Sequence, residues 1–182
     1  MSYLHYSPNL GAMARCTTPE NCPFAHWDTD AMKSMAPVSL TGFPKVLKNS
    51  YLGCELRPEA IAPALNQLKT AMAPELFELI TRKKAERDGV DKYHMTVVAP
   101  AEYRRLSSRE RVTPPQEGLR FDLLGVGTAS NSKTQTWYAV AQSPIIDRWR
   151  RELGLPKQDL HVTLGFTSSD VHGVPKDLTT LV

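Results

Sequence analysis

Tyr93-His94-Met95-Thr96-Val97-Val98 and Leu160-His161-Val162-Thr163-Leu164-Gly165 share one form. Each is a short, mostly apolar run with β-branched residues, the composition of a strand. Residues i and i+2 of a strand project from the same face. His94 therefore goes with Thr96, and His161 with Thr163, while Met95 and Val162 point the other way into a core. Each run follows a helix and a turn. A histidine with Ser or Thr two places on is common, and His5-Tyr6-Ser7 matches without the strand setting. What separates the two runs from such coincidences is their pairing, which looks like one supersecondary unit used twice.

Outward from these runs the pattern is regular from Ser50 onward. Residues 51–56 read as a strand. Ile61, Leu65, Leu68 and Met72 then recur at helical spacing. Pro63 and Pro74 interrupt them, which predicts two short helices or one kinked helix. Pro74-Glu75 suits a helix start and Asp88-Gly89 a stop. A short helix is expected over 102–111, and strands over 119–126 and 136–141 with a turn at 127–133. A helix over 144–153 carries the apolar stripe Ile145, Ile146, Trp149 and Leu153 and ends at Gly154. The order strand, helix, strand, helix, strand, strand, helix, strand predicts an α+β domain with an antiparallel or mixed sheet. Residues 1–45 show no sustained period and are read as an irregular N-terminal extension, leaving 46–182 as the domain.

A chain of 182 residues with 41% hydrophobic side chains can build one real core, which excludes general disorder. Its net charge of +3 permits an anionic ligand but falls short of a protein that coats nucleic acid. No stretch approaches the roughly 20 apolar residues of a membrane span, and residues 1–15 lack the pattern of a secretory leader. Three cysteines, Cys16, Cys22 and Cys54, are an odd, low number. They point to a reducing, cytoplasmic compartment.

Two His-x-Thr-x motifs on strands, separated by a hairpin and a helix, resemble the signature of the 2H phosphoesterase superfamily over roughly residues 50–177. The ending Phe166-Thr167-Ser168-Ser169-Asp170-Val171-His172-Gly173-Val174-Pro175-Lys176 is similar to the branch called Swiss Army Knife RNA repair-like proteins. The resemblance implies two pseudo-symmetric lobes, each giving one motif to a central cleft. It also implies hydrolysis of a 2′,3′-cyclic phosphate or a related nucleotide or RNA phosphodiester. The residue types suit that chemistry. One histidine would deprotonate water and the other protonate the departing ribose oxygen, since imidazole titrates near neutral pH. Thr96 and Thr163 would donate to the non-bridging phosphate oxygens. No metal or other cofactor is needed for this catalysis. Which histidine is base and which is acid stays open. So do two other functions: a non-catalytic module that binds RNA or a nucleotide, and an RNA ligase-like activity in which the same groups run backwards.

Other residues carry weaker expectations. Trp137 and Tyr138 lie on opposite faces of one predicted strand. Core packing is the heavier reading, and stacking of one on a base is the functional one. His172 and Lys176 follow the second motif, where the resemblance suggests a loop bordering the cleft. The basic run Arg82, Lys83, Lys84 and Arg87 reads by default as a solvated helix face. Cys16, Cys22 and His26 have the spacing of the last three ligands of a CCCH zinc finger. Ser7 stands where the first cysteine would be, and His5 is the nearest fourth ligand for a tetrahedral site. A structural zinc would hold a region poor in regular structure; ordinary buried cysteines or a disulfide are the alternatives.

Overall fold

A computed structural model describes residues 3–7, 12–16, 26–28, 36–48, 50–107, 115 and 117–182. Strands β1 (Tyr3–Ser7), β2 (Ala12–Cys16) and β3 (His26–Asp28) form a three-stranded antiparallel sheet in the order β2-β1-β3. The main sheet has seven antiparallel strands: β4 (Val38–Gly42), β5 (Pro44–Leu47), β6 (Tyr51–Leu56), β7 (Tyr93–Val98), β8 (Leu119–Ser130), β9 (Gln135–Gln142) and β10 (His161–Phe166). Their spatial order is β4-β8-β9-β10-β7-β6-β5. Only Phe43 separates β4 from β5 in the chain, yet they form opposite edges. A single short crossing can join both edges only if the sheet curls, and the sheet is a half-barrel. The two lobes are thus two halves of one curled sheet, β4-β8-β9-β10 and β7-β6-β5. The motif strands β10 and β7 meet at the seam.

Four helices join these strands: α1 (Pro58–Ala71), α2 (Pro74–Asp88), α3 (Pro100–Ser107) and α4 (Pro144–Glu152). Three of the expected breaks fall elsewhere. Pro63 does not interrupt α1. It and Glu59, whose carbonyl loses its partner, both lie on the exposed side, where water can take that carbonyl. Strand β8 runs on through Ser130, although a turn is expected from Gly127. Gly127 is there for close approach: a Cβ on it would stand 2.8 Å from Tyr138 Cε2. Strand β4 and the first two residues of β5 fall within residues 1–45, so the main sheet begins at Val38 rather than beyond residue 45. The alternation Val38-Ser39-Leu40-Thr41 was the local sign of it, and Pro44 is tolerated because β5 is an edge.

The core is one cluster in which Ile61 and Leu68 of α1, Ile80 of α2, Met95 and Val97 of β7 and Val162 and Leu164 of β10 are wholly buried. Helix α2 lies directly on β10. A Cβ on Gly165 would fall 2.8 Å from Ile80 Cγ1 and 2.9 Å from the Ile80 backbone, so only glycine lets the helix this close. That contact brings the C-terminal end of α2 to the motif strands. Among the described residues, no helix is long and apolar enough to cross a membrane.

Candidate active site

Strands β7 and β10 pair antiparallel with Met95 opposite Val162, and both side chains are wholly buried. One residue to either side, the same register sets Thr163 beside His94 and His161 beside Thr96. All four polar side chains therefore share the face opposite the core. Directly opposed Cβ atoms on such strands stand about 4.5–5.5 Å apart and diagonal ones about 7–8 Å. His94 and His161 are the diagonal pair, and His94 lines one cavity while His161 lines another.

The β10 half is fully engaged. His161 Nδ1 lies 2.8 Å from the Asp159 carbonyl oxygen. Lys176 Nζ lies 3.3 Å from His161 Nε2 and donates to Asp170 Oδ1 at 2.9 Å. The Thr163 hydroxyl donates to Asp170 Oδ2 at 3.0 Å. Tyr138, opposite Thr163 on β9, sets its ring edge-on to His161 with centroids 5.5 Å apart. Burial, followed by the Lys176 charge, pushes the His161 pKa down to about 4; the Asp159 contact and Asp170 pull weakly the other way. Burial also raises the Asp170 carboxyl, but Lys176 and Arg87 outweigh it and hold the pKa down at about 2.

The β7 half is open. Neither the His94 ring nor the Thr96 hydroxyl has a hydrogen-bond partner among the described residues. Tyr51 tilts against the His94 ring at 5.7 Å between centroids. A cavity of about 910 Å³ adjoins it, with Tyr51, Lys48, Glu55, Asp88 and Tyr93 in its wall. Burial lowers the His94 pKa, opposed by Asp88 and reinforced by Lys48, Arg87 and Lys84.

A continuous run of charges ties the halves together. Lys48 reaches Asp88 at 3.3 Å and Arg87 reaches Asp88 at 2.7 Å; Arg87 then reaches Asp170 at 3.2 Å and Lys176 reaches Asp170 at 2.9 Å. Lys84 adds a fourth cation 3.8 Å from Asp88. Lys48 itself takes a left-handed φ of 47°, uncommon for a side-chain-bearing residue, in the turn between β5 and β6. In this run four cations share two carboxylates, while Glu55, Asp91 and Asp159 also border the site.

Both motif strands fall within residues 51–172, which match the family profile described as Swiss Army Knife, 2H phosphoesterase domain. The match covers more than half of the chain. The chain belongs to this family. No curated protein and no solved structure matches it.

For a 2H phosphoesterase, the placement of the remaining candidates is informative. Trp137 is wholly buried within the core cluster, and Tyr138 is wholly buried beneath His161. Neither ring presents a face to a base, which corrects the stacking reading in favour of packing. Lys176 is at the site itself, while His172 is exposed on the wall of a smaller cavity beside His161. The basic run on α2 divides: Arg82 is solvated, but Lys84 is buried over the Tyr93 ring and Arg87 stacks on Phe166. Sequence reasoning missed Asp170 and Asp88, and treated Arg87 as surface. The Lys84–Asp88 spacing of four was a local sign, whereas nothing near Asp170 in sequence announces its contacts. Cys22 lies outside the described residues. Cys16 and His26 are described only as strand residues, whose backbones pair with Tyr3 and His5. The zinc expectation therefore falls outside what is described.

Proposed function

We propose that this 2H phosphoesterase hydrolyses a 2′,3′-cyclic phosphate or a related nucleotide or RNA phosphodiester by general acid–base catalysis between His94 and His161, without a metal. One observation carries the reading: adjacent antiparallel strands put two histidines and two threonines on one face, with Met95 and Val162 as the buried pair behind them. A diester bound between the rings would meet a base on one side and an acid on the other, the arrangement an in-line displacement needs. Lys48, Lys84, Arg87 and Lys176 around the rings favour a phosphate and disfavour a second cation. The Thr96 hydroxyl has a donor to give to a phosphate oxygen, and Thr163 can exchange Asp170 for one. A free, buried Cys54, its thiol pushed up to about 12 by burial, suits a reducing cytoplasmic setting.

The test is a panel of 2′,3′-cyclic nucleotides, RNA ends bearing a 2′,3′-cyclic phosphate and 2′–5′ linked oligonucleotides, each assayed with and without EDTA. The reading expects turnover of at least one member, unchanged by chelation. Loss of turnover in EDTA, recovered with magnesium or manganese, would overturn it.

A further inference from the structure

We propose that the larger cavity beside His94 is a strand-binding subsite, which stacks the last base of a single-stranded RNA on Phe43 and pairs the phosphate before that base with Arg57 and Lys92. The inference rests on the two-histidine reading above for where the reacting phosphate lies. It deepens that reading by naming the substrate as an RNA end rather than a free nucleotide.

The cavity is continuous with the motif face. Glu55 of β6 stands opposite His94 of β7, so their side chains are neighbours on one face, and both line the cavity. Its volume of about 910 Å³ is near the top of the range of about 300–1,000 Å³ that holds one small ligand. A reacting phosphate at the histidines leaves that volume for a base and for the backbone that precedes it.

Among the described residues, Phe43, Tyr51 and Tyr93 put their rings in the cavity wall. Tyr51 is buried against His94, and Tyr93 is buried under Lys84. Phe43 is 64% exposed. It is the single residue that crosses between β4 and β5, and its ring is seated on Gly118. A Cβ on Gly118 would stand 3.1 Å from Phe43 Cε1 and 3.3 Å from Phe43 Cζ, and its φ of 75° also favours glycine. An isolated exposed apolar side chain is ordinary on a surface. This one borders the cavity that holds His94, and it is braced from one side by backbone. Such a ring is a fixed platform for a base, the mode by which proteins hold unpaired RNA bases.

The charges of the wall divide into paired and open ones. Lys45 is held by Glu55 at 2.6 Å and Lys48 by Asp88 at 3.3 Å. Arg57 and Lys92 are exposed, and neither side chain has a hydrogen bond or ion pair among the described residues. Asp91 is the carboxylate in the wall that likewise has neither, so two open cations stand against one open anion. A guanidinium can give two parallel N–H groups to one phosphate, and an ammonium adds a point charge. Phe43, Lys45 and Lys48 precede residue 51, so this side of the cavity lies outside the span of the family match.

The test is the binding of two probes to the full chain at several salt concentrations: adenosine 3′-monophosphate, and the adenosine trinucleotide that ends in a 3′-phosphate. The trinucleotide should bind about ten-fold tighter or more, the worth of one charge-assisted contact. Phe43→Ala should weaken both probes by roughly 5- to 100-fold, the worth of one stacked base, and Phe43→Trp should restore the native affinity. Arg57→Gln combined with Lys92→Gln should remove most of the trinucleotide's advantage and cut the slope of its affinity against salt by about 0.7, the share of one phosphate on a single strand. All three side chains are exposed, so the variants should keep the native circular dichroism spectrum. Equal affinity for the two probes, or an unchanged trinucleotide affinity in Phe43→Ala, overturns the proposal. Binding needs no turnover. A chain that prefers the trinucleotide yet cleaves no cyclic phosphate keeps this subsite and loses only the hydrolase reading. A chain that cleaves 2′,3′-cyclic nucleotides but shows no preference for the trinucleotide loses only the subsite.

Discussion

The two motifs are near-copies in sequence and unlike in setting. On β10, the ring and the hydroxyl are both spoken for, by Asp159 and Lys176 and by Asp170. On β7, the ring and the hydroxyl are both unbonded among the described residues, and the ring lines a cavity of about 910 Å³. A duplicated strand pattern therefore supplies position, and the segments packed around it supply chemistry. Strand alternation alone gives two equivalent His/Thr pairs. The C-terminal stretch from Asp170 to Lys176 and the end of α2 make them inequivalent.

The largest effect that would break this comparison is on turnover. Replacing His94 or His161 with Ala should each lower turnover by roughly 100- to 10,000-fold, the usual worth of a positioned acid or base. The double variant should lose less than the product of the two, because the groups act on one transition state. Equal retention of activity in both single variants would show that neither half carries the chemistry.

Stability sharpens the contrast next. Folded His161 has a pKa of about 4 against 6.5 for the free side chain. As pH falls the unfolded chain takes up the proton first, so stability present above pH 6.5 is lost between 6.5 and 4. The loss is on the order of 3 kcal/mol. Urea midpoints across that window should fall in the native protein and fall less in His161→Gln. Gly165→Ala should cost about 1–3 kcal/mol in urea unfolding by wedging Ile80, and with it α2, off β10.

The threonines give the smallest and most discriminating difference. Thr163→Val removes one donor from the buried Asp170 and should cost about 1 kcal/mol. Thr96→Val removes a hydroxyl that bonds nothing among the described residues and should stay within about 0.5 kcal/mol. Both should slow turnover less than either histidine substitution. Equal stability losses would mean the two halves are more alike than their contacts show.

What was legible in the sequence follows the range of the interactions. Strands β7 and β10 announce themselves by alternation, α4 by its apolar stripe and α2 by Pro74 and Gly89, all signals carried within a dozen residues. The α+β class follows from them. Membership of β4 and β5 in the main sheet does not, because it depends on closing a curl across the whole sheet. The four motif side chains were readable for the same local reason. Asp170 was not: its partners Arg87, Thr163 and Lys176 come from a helix, a strand and a loop that only the fold brings together. The inward turn of Tyr138 and Trp137 likewise depends on neighbours distant in sequence.

The central claim is that His94 and His161 act as an acid–base pair on one phosphodiester. Its most direct test is the pH dependence of kcat/KM on a 2′,3′-cyclic nucleotide that the native protein cleaves, compared with His94→Ala and His161→Ala. The native protein should give a bell-shaped profile, with one limb lost in each of the two variants. Both limbs persisting in both variants at the native rate would contradict it.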